Sequence, residues 1–314
     1  MSRYIVRRLA FLVLTVILTS VVVFSVVQLL PGDVARVILG REAGQAAVEQ
    51  LRQELGLDLP APARYLNWLA DFVQGSWGDS FSIRMPVLPL VARRAFNSLV
   101  LAVLALFIAV PVSIGLGVIA ALREDSWIDN AVSIGSLALV GLPEFVTGLV
   151  LIQVFGLGLH FLPASSSLAG GASPLAALPQ LVLPALTATL VLVGYITRLT
   201  RAQVIEEVDK PYVRTAALNG LPRGAVVLRH VLRNALMPTV TVVAISFGWL
   251  LSGLIVIEAV FNYPGLGSLL VFAVSRRDLP VIQAIAMLSV VGFALANLAA
   301  DLLYAVLNPR VRLG

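Results

Sequence analysis

The sequence has no cysteine, which excludes a disulfide framework, an iron–sulfur cluster and a thiolate zinc site. Its two histidines, His160 and His230, are too few and too far apart for a metal centre. Charge is scarce: 12% of residues are charged, against about 25% in a soluble domain. No Gly-x-x-x-x-Gly-Lys-Ser/Thr stretch occurs, so the chain carries no phosphate cradle of its own. An intramembrane enzyme would need a nucleophile–base pair or metal ligands within its apolar runs, and no histidine lies in the middle of one. The net charge of +5 and pI near 10.1 do not point to nucleic acid. In a chain that is 59% hydrophobic with mean hydropathy +0.96, basic excess reflects arginines on the cytoplasmic side of spans.

What is present is long apolar sequence. A hydrocarbon core about 30 Å thick takes about 20 helical residues. Uncharged runs of that order recur at 9–30, 95–122, near 178–197, near 238–257 and 279–300. The run 130–160 is interrupted only by Pro143 and Glu144 and reads as one kinked span. The expectation is an all-α polytopic membrane protein of six spans, with both termini on one side. The basic start followed by a long run without a small-residue cleavage site predicts a retained first span. With the N-terminus inside, cytoplasmic segments hold thirteen Arg and Lys residues and the short outer loops only Arg276 and Arg277. Both termini are therefore expected in the cytoplasm of a plasma-membrane protein. The expected domains are 1–94, the first span plus an outer segment, and 95–314, a five-span core. The outer segment contains AAVEQLRQELG and ARYLNWLADFVQG, each a short helical pattern closed by glycine.

Residues 211–238 read PYVRTAALNGLPRGAVVLRHVLRNALMP, within a cytoplasmic loop spanning about 201–237. Pro211 suits a first helical turn, and Asp209 favours the positive helix end. Gly220 stands where a left-handed cap closes a helix over 211–219. Pro222 then starts a second helix that runs to about Leu236, before Pro238 opens the next span. A two-turn helix is not stable alone in water, so it needs a surface. A basic loop holding lipid phosphates explains the arginines but not this punctuation.

Glu144 is the one carboxylate in the middle of an apolar stretch. Such acids usually face a cavity or a partner, and the alternative is a neutral, locally bonded group beside Pro143. Glu258 sits near the outer end of the fifth span, a possible contact for a binding protein or a mark of the water boundary. Asp301 is expected to pair with Arg310 or Arg312, and Asp129 to cap the third span. His160 is expected at the outer interface without a ligand. Trp68, Trp77 and Trp127 read as interfacial anchors, Trp249 as packing.

RTAALNGLPRGAVVLRHVLRNALMP resembles the cytoplasmic coupling loop of ABC-transporter importer permeases of the dipeptide/oligopeptide class. Aligned on Gly220, the general Glu-Ala-Ala pattern meets Arg214, Thr215 and Ala216, so the glutamate is absent. RRLAFLVLTVILTSVVVFSVVQLLPGD is similar to the family's first span, and LRQELGLDLPAPARYLNWL to its outer segment. IEAVFNYPGLGSLL and RDLPVIQAI resemble its fifth-to-sixth-span connection, and DLLYAVLNPRVRL its C-terminal signature. Val34 and Asn308 depart from proline and aspartate in the family pattern.

The resemblance implies half of a translocation pathway that pairs with a homologous second permease. Two ATPase subunits would hold ATP and Mg, this chain binding no cofactor, and a periplasmic or extracellular binding protein would deliver the solute. It further implies that Tyr212, Arg214, Thr215, Ala216, Ala217, Gly220 and Leu221 meet the ATPase, with Tyr212 and Leu221 as anchors. The implied solutes are di- or oligopeptides, with nickel chelates or oligosaccharides as the alternative in the same class. An ion-coupled secondary transporter is a remoter reading, hinted at only by Glu144 beside Pro143.

Overall fold

Inside a membrane only a helix satisfies its own backbone groups segment by segment, so uncharged runs of this length become helices. The computed structural model describes residues 2–29, 44–54, 58–168 and 172–307, with Arg36 and Leu39 as isolated positions. The elements are α1 (Ser2–Leu29), α2 (Gln45–Glu54), α3 (Ala61–Val73), α4 (Val87–Leu122), α5 (Trp127–Gly141) and α6 (Glu144–Leu151). They continue with α7 (Leu178–Val208), α8 (Pro211–Leu218), α9 (Arg223–Val226), α10 (Leu232–Gly253), α11 (Ile255–Val260), α12 (Leu266–Arg276) and α13 (Leu279–Leu307). Five helical stretches are long and apolar enough to cross a membrane: 6–27, 87–122, 174–208, 223–250 and 279–303.

The sixth crossing differs from the expected kinked span. Helix α5 and the stretch Glu144–Gly158 meet at 105°. Pro143 lacks the N–H that would continue α5, and Leu142 ahead of it is extended, with ψ 129°. The start of the fifth crossing also moves. Pro238 opens no helix but lies inside α10, which is joined to α9 by a π-helical stretch, Val227–Val231. The 94/95 boundary falls inside α4, because Arg93 and Arg94 interrupt the hydrophobic run without ending the helix.

Small residues set the most extensive helix contact, that of α4 with α7. Ala102, Ala105 and Ala109 on α4 are fully buried in the main core, which α7 shares through Leu181, Ala185 and Ala188. A Cβ added at Gly117 would lie 2.7 Å from Thr200 Cβ and 2.8 Å from the Thr197 carbonyl oxygen. Without a hydrophobic drive between helices in lipid, such backbone approach is the main source of packing energy. Thr189 on α7 donates to the Ala105 carbonyl across this seam at 3.1 Å. Helix α5 joins α7 through Asp129, whose carboxylate takes a two-pronged pair from Arg201 at 2.5 and 2.6 Å. The cap of α5 is therefore Ser126, which accepts from the Asp129 N–H at 3.3 Å, and not Asp129 itself. Asp129 also accepts from the Asp125 N–H, just ahead of the cap, at 3.1 Å.

Helix α1 is peripheral. Arg8 meets Asp301 of α13 at 2.9 Å, so Asp301 has a partner on the first span; Arg310 and Arg312 lie outside the described residues. At its other end Ser20 and Tyr65 of α3 share a 2.7 Å hydrogen bond, and Phe24 meets the Tyr65 ring edge-on. Trp68 and Trp77 continue that aromatic row through Phe72, whereas Trp249 turns an exposed ring outward from α10.

The turn between α12 and α13 is clasped to the residues ahead of α4. Asp278 accepts from the Ser80 hydroxyl at 2.5 Å, from the N–H groups of Phe81 and Ser82 at 3.2 and 3.0 Å, and from the Ser82 hydroxyl. Burial alone would raise this carboxyl; the four donors overcome it and hold it below the usual carboxylate range. A depressed carboxyl contributes stability that is present above its unfolded value and lost as pH falls through the folded one. Asp278→Asn is expected to lower stability by about 1–3 kcal/mol at neutral pH, and to have a smaller deficit in strong acid. Thermal unfolding in detergent at pH 7 and near pH 3 checks both.

Candidate functional site

Helix α8 begins at Pro211 after extended Lys210 and ends at Leu218, with Asn219 as its cap and Gly220 at φ +79°. That left-handed geometry suits a residue without a side chain, which is the stop read from the sequence. The inward face of α8 is Val213 and Ala216, buried against Ala121, Val204, Val226 and Val231. Ala216 is therefore committed within the chain.

So is Tyr212. Its hydroxyl donates to Glu207 Oε1 at 2.5 Å and accepts from Asn234 Nδ2 at 3.1 Å. Burial, and then the Glu207 acceptor, push this phenol above its ordinary range. Lys210 closes the other side of Glu207, whose carboxylate raises the ammonium in turn. This knot ties α8 to the end of α7 and the start of α10, so a push on α8 reaches two spans. Tyr212, partly buried, thus anchors α8 to its own chain.

The outward face is a ridge of Arg214, Thr215, Ala217, Leu218, Gly220 and Leu221, all exposed. Leu218 is 87% exposed. Sequence reading missed it, although an apolar residue one turn after Arg214 on a solvent-facing helix was the available signal. Arg214 has no hydrogen bond or ion pair among the described residues, nor does Gly220 face any atom within 4 Å of an added Cβ.

Glu144 is the first residue of α6, at the 105° break. It is half-buried, and its carboxylate has no hydrogen-bond or ion-pair partner among the described residues, so the locally bonded alternative is not what the geometry shows.

Glu258 stands just after the fifth crossing but is not at a surface. It is 0% exposed and presents nothing to a binding protein. Its carboxylate accepts from the Ser98 hydroxyl at 2.5 Å and from the N–H groups of Ser268, at 3.0 Å, and Gly267. Ser98 in turn accepts from the Leu266 N–H at 2.8 Å. The unsatisfied N–H groups that open α12 are thus capped by an acid from α11 and a serine from α4. Asn97 adds a bond to the Pro264 carbonyl, and Tyr263 one to the Asn97 carbonyl.

Comparison with known proteins agrees with this architecture. Residues 113–313 match the family described as binding-protein-dependent transport system inner membrane component, and residues 1–102 match its N-terminal model. The chain is 41% identical over 315 residues to the glutathione transport system permease protein GsiC of Pectobacterium atrosepticum, with 99% of each chain covered. It is 40% identical over 312 residues to the protein of that name from Escherichia coli strain K12, again with 99% of each covered. Such a subunit is a transport component and not an enzyme; its family works with ATPase subunits and a solute-binding protein. The chain belongs to the binding-protein-dependent transport system inner membrane components, the permeases of ABC importers.

Proposed function

We propose that this permease passes a peptide or peptide-like solute, with glutathione and dipeptides as the leading candidates, and that α8 is the element an ATPase subunit moves. The observation that carries the coupling reading is the exposed ridge of a two-turn helix tied from behind to two spans. A helix this short gains little from its own backbone bonds; here a buried inner face and the Glu207–Tyr212–Asn234 knot hold it. Its outer ridge stays free for a partner. Arg214, Thr215, Ala217, Leu218, Gly220 and Leu221 form that contact. ATP and Mg sit on two partner ATPases, whose closure moves α8 and through it α7 and α10. A homologous second permease supplies the other half of the pathway, and both termini face the cytoplasm. The first span with the segment ahead of α4 is an addition to a core of the last five spans.

Glu144 lines the pathway in this reading, since an unpartnered acid at a helix break suits the ammonium group of a peptide. The test is ATP-driven uptake of labelled glutathione and of a neutral dipeptide by the complete importer in vesicles, with its binding protein present. Uptake of one or both is expected, and Glu144→Gln is expected to slow it or to alter the preference between them. An importer that moves neither solute contradicts the peptide reading. Unaltered rate and preference in Glu144→Gln removes the acid from the mechanism.

A further inference from the structure

Asp129 and Arg201 fix the register of α5 against α7 at the membrane end nearest α8. Trp127, 78% exposed at the start of α5, marks the headgroup level there. Arg201 is held beside it by the two-pronged pair with Asp129. Arg198 stands three residues nearer the membrane centre on the antiparallel helix, which is about 4.5 Å of rise. It has no hydrogen bond or ion pair among the described residues. Between the helices runs a groove of about 630 Å³ lined by Ser133, Ile134, Leu137, Tyr195, Arg198 and Arg201. Ile134 is 68% and Leu137 57% exposed, on the side of α5 that no other described helix covers.

We propose that this groove is a binding site for one anionic phospholipid. Its phosphate meets Arg198, and an acyl chain lies along Ile134 and Leu137. Three features favour that occupant. The charge is of the right sign and uncommitted, because Asp129 neutralises Arg201, with Glu124 and Asp125 also within its electrostatic reach. The depth is right: a guanidinium one turn below the headgroup level reaches it by extending its stem along the helix. The polarity runs in the right order, basic and hydroxylated toward the headgroups and aliphatic toward the membrane centre. Tyr195, with its ring exposed, stands on the same side of α7 as Arg198. A basic pocket between spans at this level is a recurring form of headgroup recognition.

The test is native mass spectrometry of the complete detergent-solubilised importer titrated with phosphatidylglycerol or with phosphatidylcholine. Wild type is expected to retain phosphatidylglycerol in preference. Arg198→Gln is expected to lower that retention about fivefold, the factor one such cation contributes, and to leave phosphatidylcholine unchanged. Arg198→Lys keeps the charge and is expected to restore most of the preference. Equal retention of the two lipids, or an unchanged preference in Arg198→Gln, overturns the proposal. So does a cross-link from Ile134→Cys to the second permease in the assembled importer, since a protein would then fill the groove. The absence of native cysteine in this chain makes that control clean.

Discussion

Leu218→Asp is expected to abolish ATP-driven uptake while leaving the permease at its normal level in the membrane. Leu218 is 87% exposed, so the substitution disturbs no packing within the chain. An exposed aliphatic residue at the tip of a pinned helix is the kind of apolar anchor a partner groove desolvates. Loss of such an anchor costs about 2–4 kcal/mol, or roughly 30-fold to 1,000-fold in affinity. Burying a carboxylate in an apolar groove adds its own penalty. The amount of ATPase subunit retained on the affinity-purified permease reads the effect directly. Leu175→Asp, at another exposed position just ahead of α7, is the control and is expected to retain the full amount.

Gly267→Ala is expected to cause a large loss of stability for a single added methyl group. A Cβ at this position would lie 2.4 Å from Ile255 Cα and 3.0 Å from Glu258 Oε2. The nearer atom is backbone, so it cannot rotate away, and α12 must shift relative to α11. That shift strains the bonds from Ser268 and Gly267 to Glu258 and from Leu266 to Ser98. Overpacking costs about 1–3 kcal/mol, and each buried polar group left unpaired adds about 1–3 kcal/mol. The expected loss is therefore at least about 3 kcal/mol, enough to deplete the protein from the membrane. Gly115→Ala and Gly135→Ala meet no atom within 4 Å and are expected to leave the melting temperature in detergent unchanged or slightly raised. A normal melting temperature for Gly267→Ala would show that the α11–α12 corner is looser than these distances imply.

The spans and the α8 stop were legible because each rests on a local rule. A run without charge must be helical in lipid, and a glycine after a short proline-started helix closes it. Several departures from the sequence reading concern partners distant in sequence. Glu258 resembles a surface acid when read beside Phe261 and Asn262; only the return of α4, which brings Ser98 to it, shows an internal cap. Asp301 finds Arg8 on α1, a partner far away in sequence, while Arg310 and Arg312 lie outside the described residues. Tyr212 looks like an interface aromatic until α10 places Asn234 against its hydroxyl. Pro238 reads as a helix start, yet within a span proline is tolerated inside a continuous helix. Periodicity carries no information about which of two faces a neighbour will cover.

The most direct measurement of the coupling account is labelling of Leu218→Cys in this cysteine-free chain with a membrane-impermeant maleimide. Inverted membrane vesicles would carry either the permease subunits alone or the complete importer. The account predicts rapid labelling in the permease alone and strong protection in the complete importer, with Val213→Cys slow in both because that side chain packs inward. Equal labelling of Leu218→Cys with and without the ATPase subunits would contradict it, since the outer ridge of α8 would then be open to water in the working assembly.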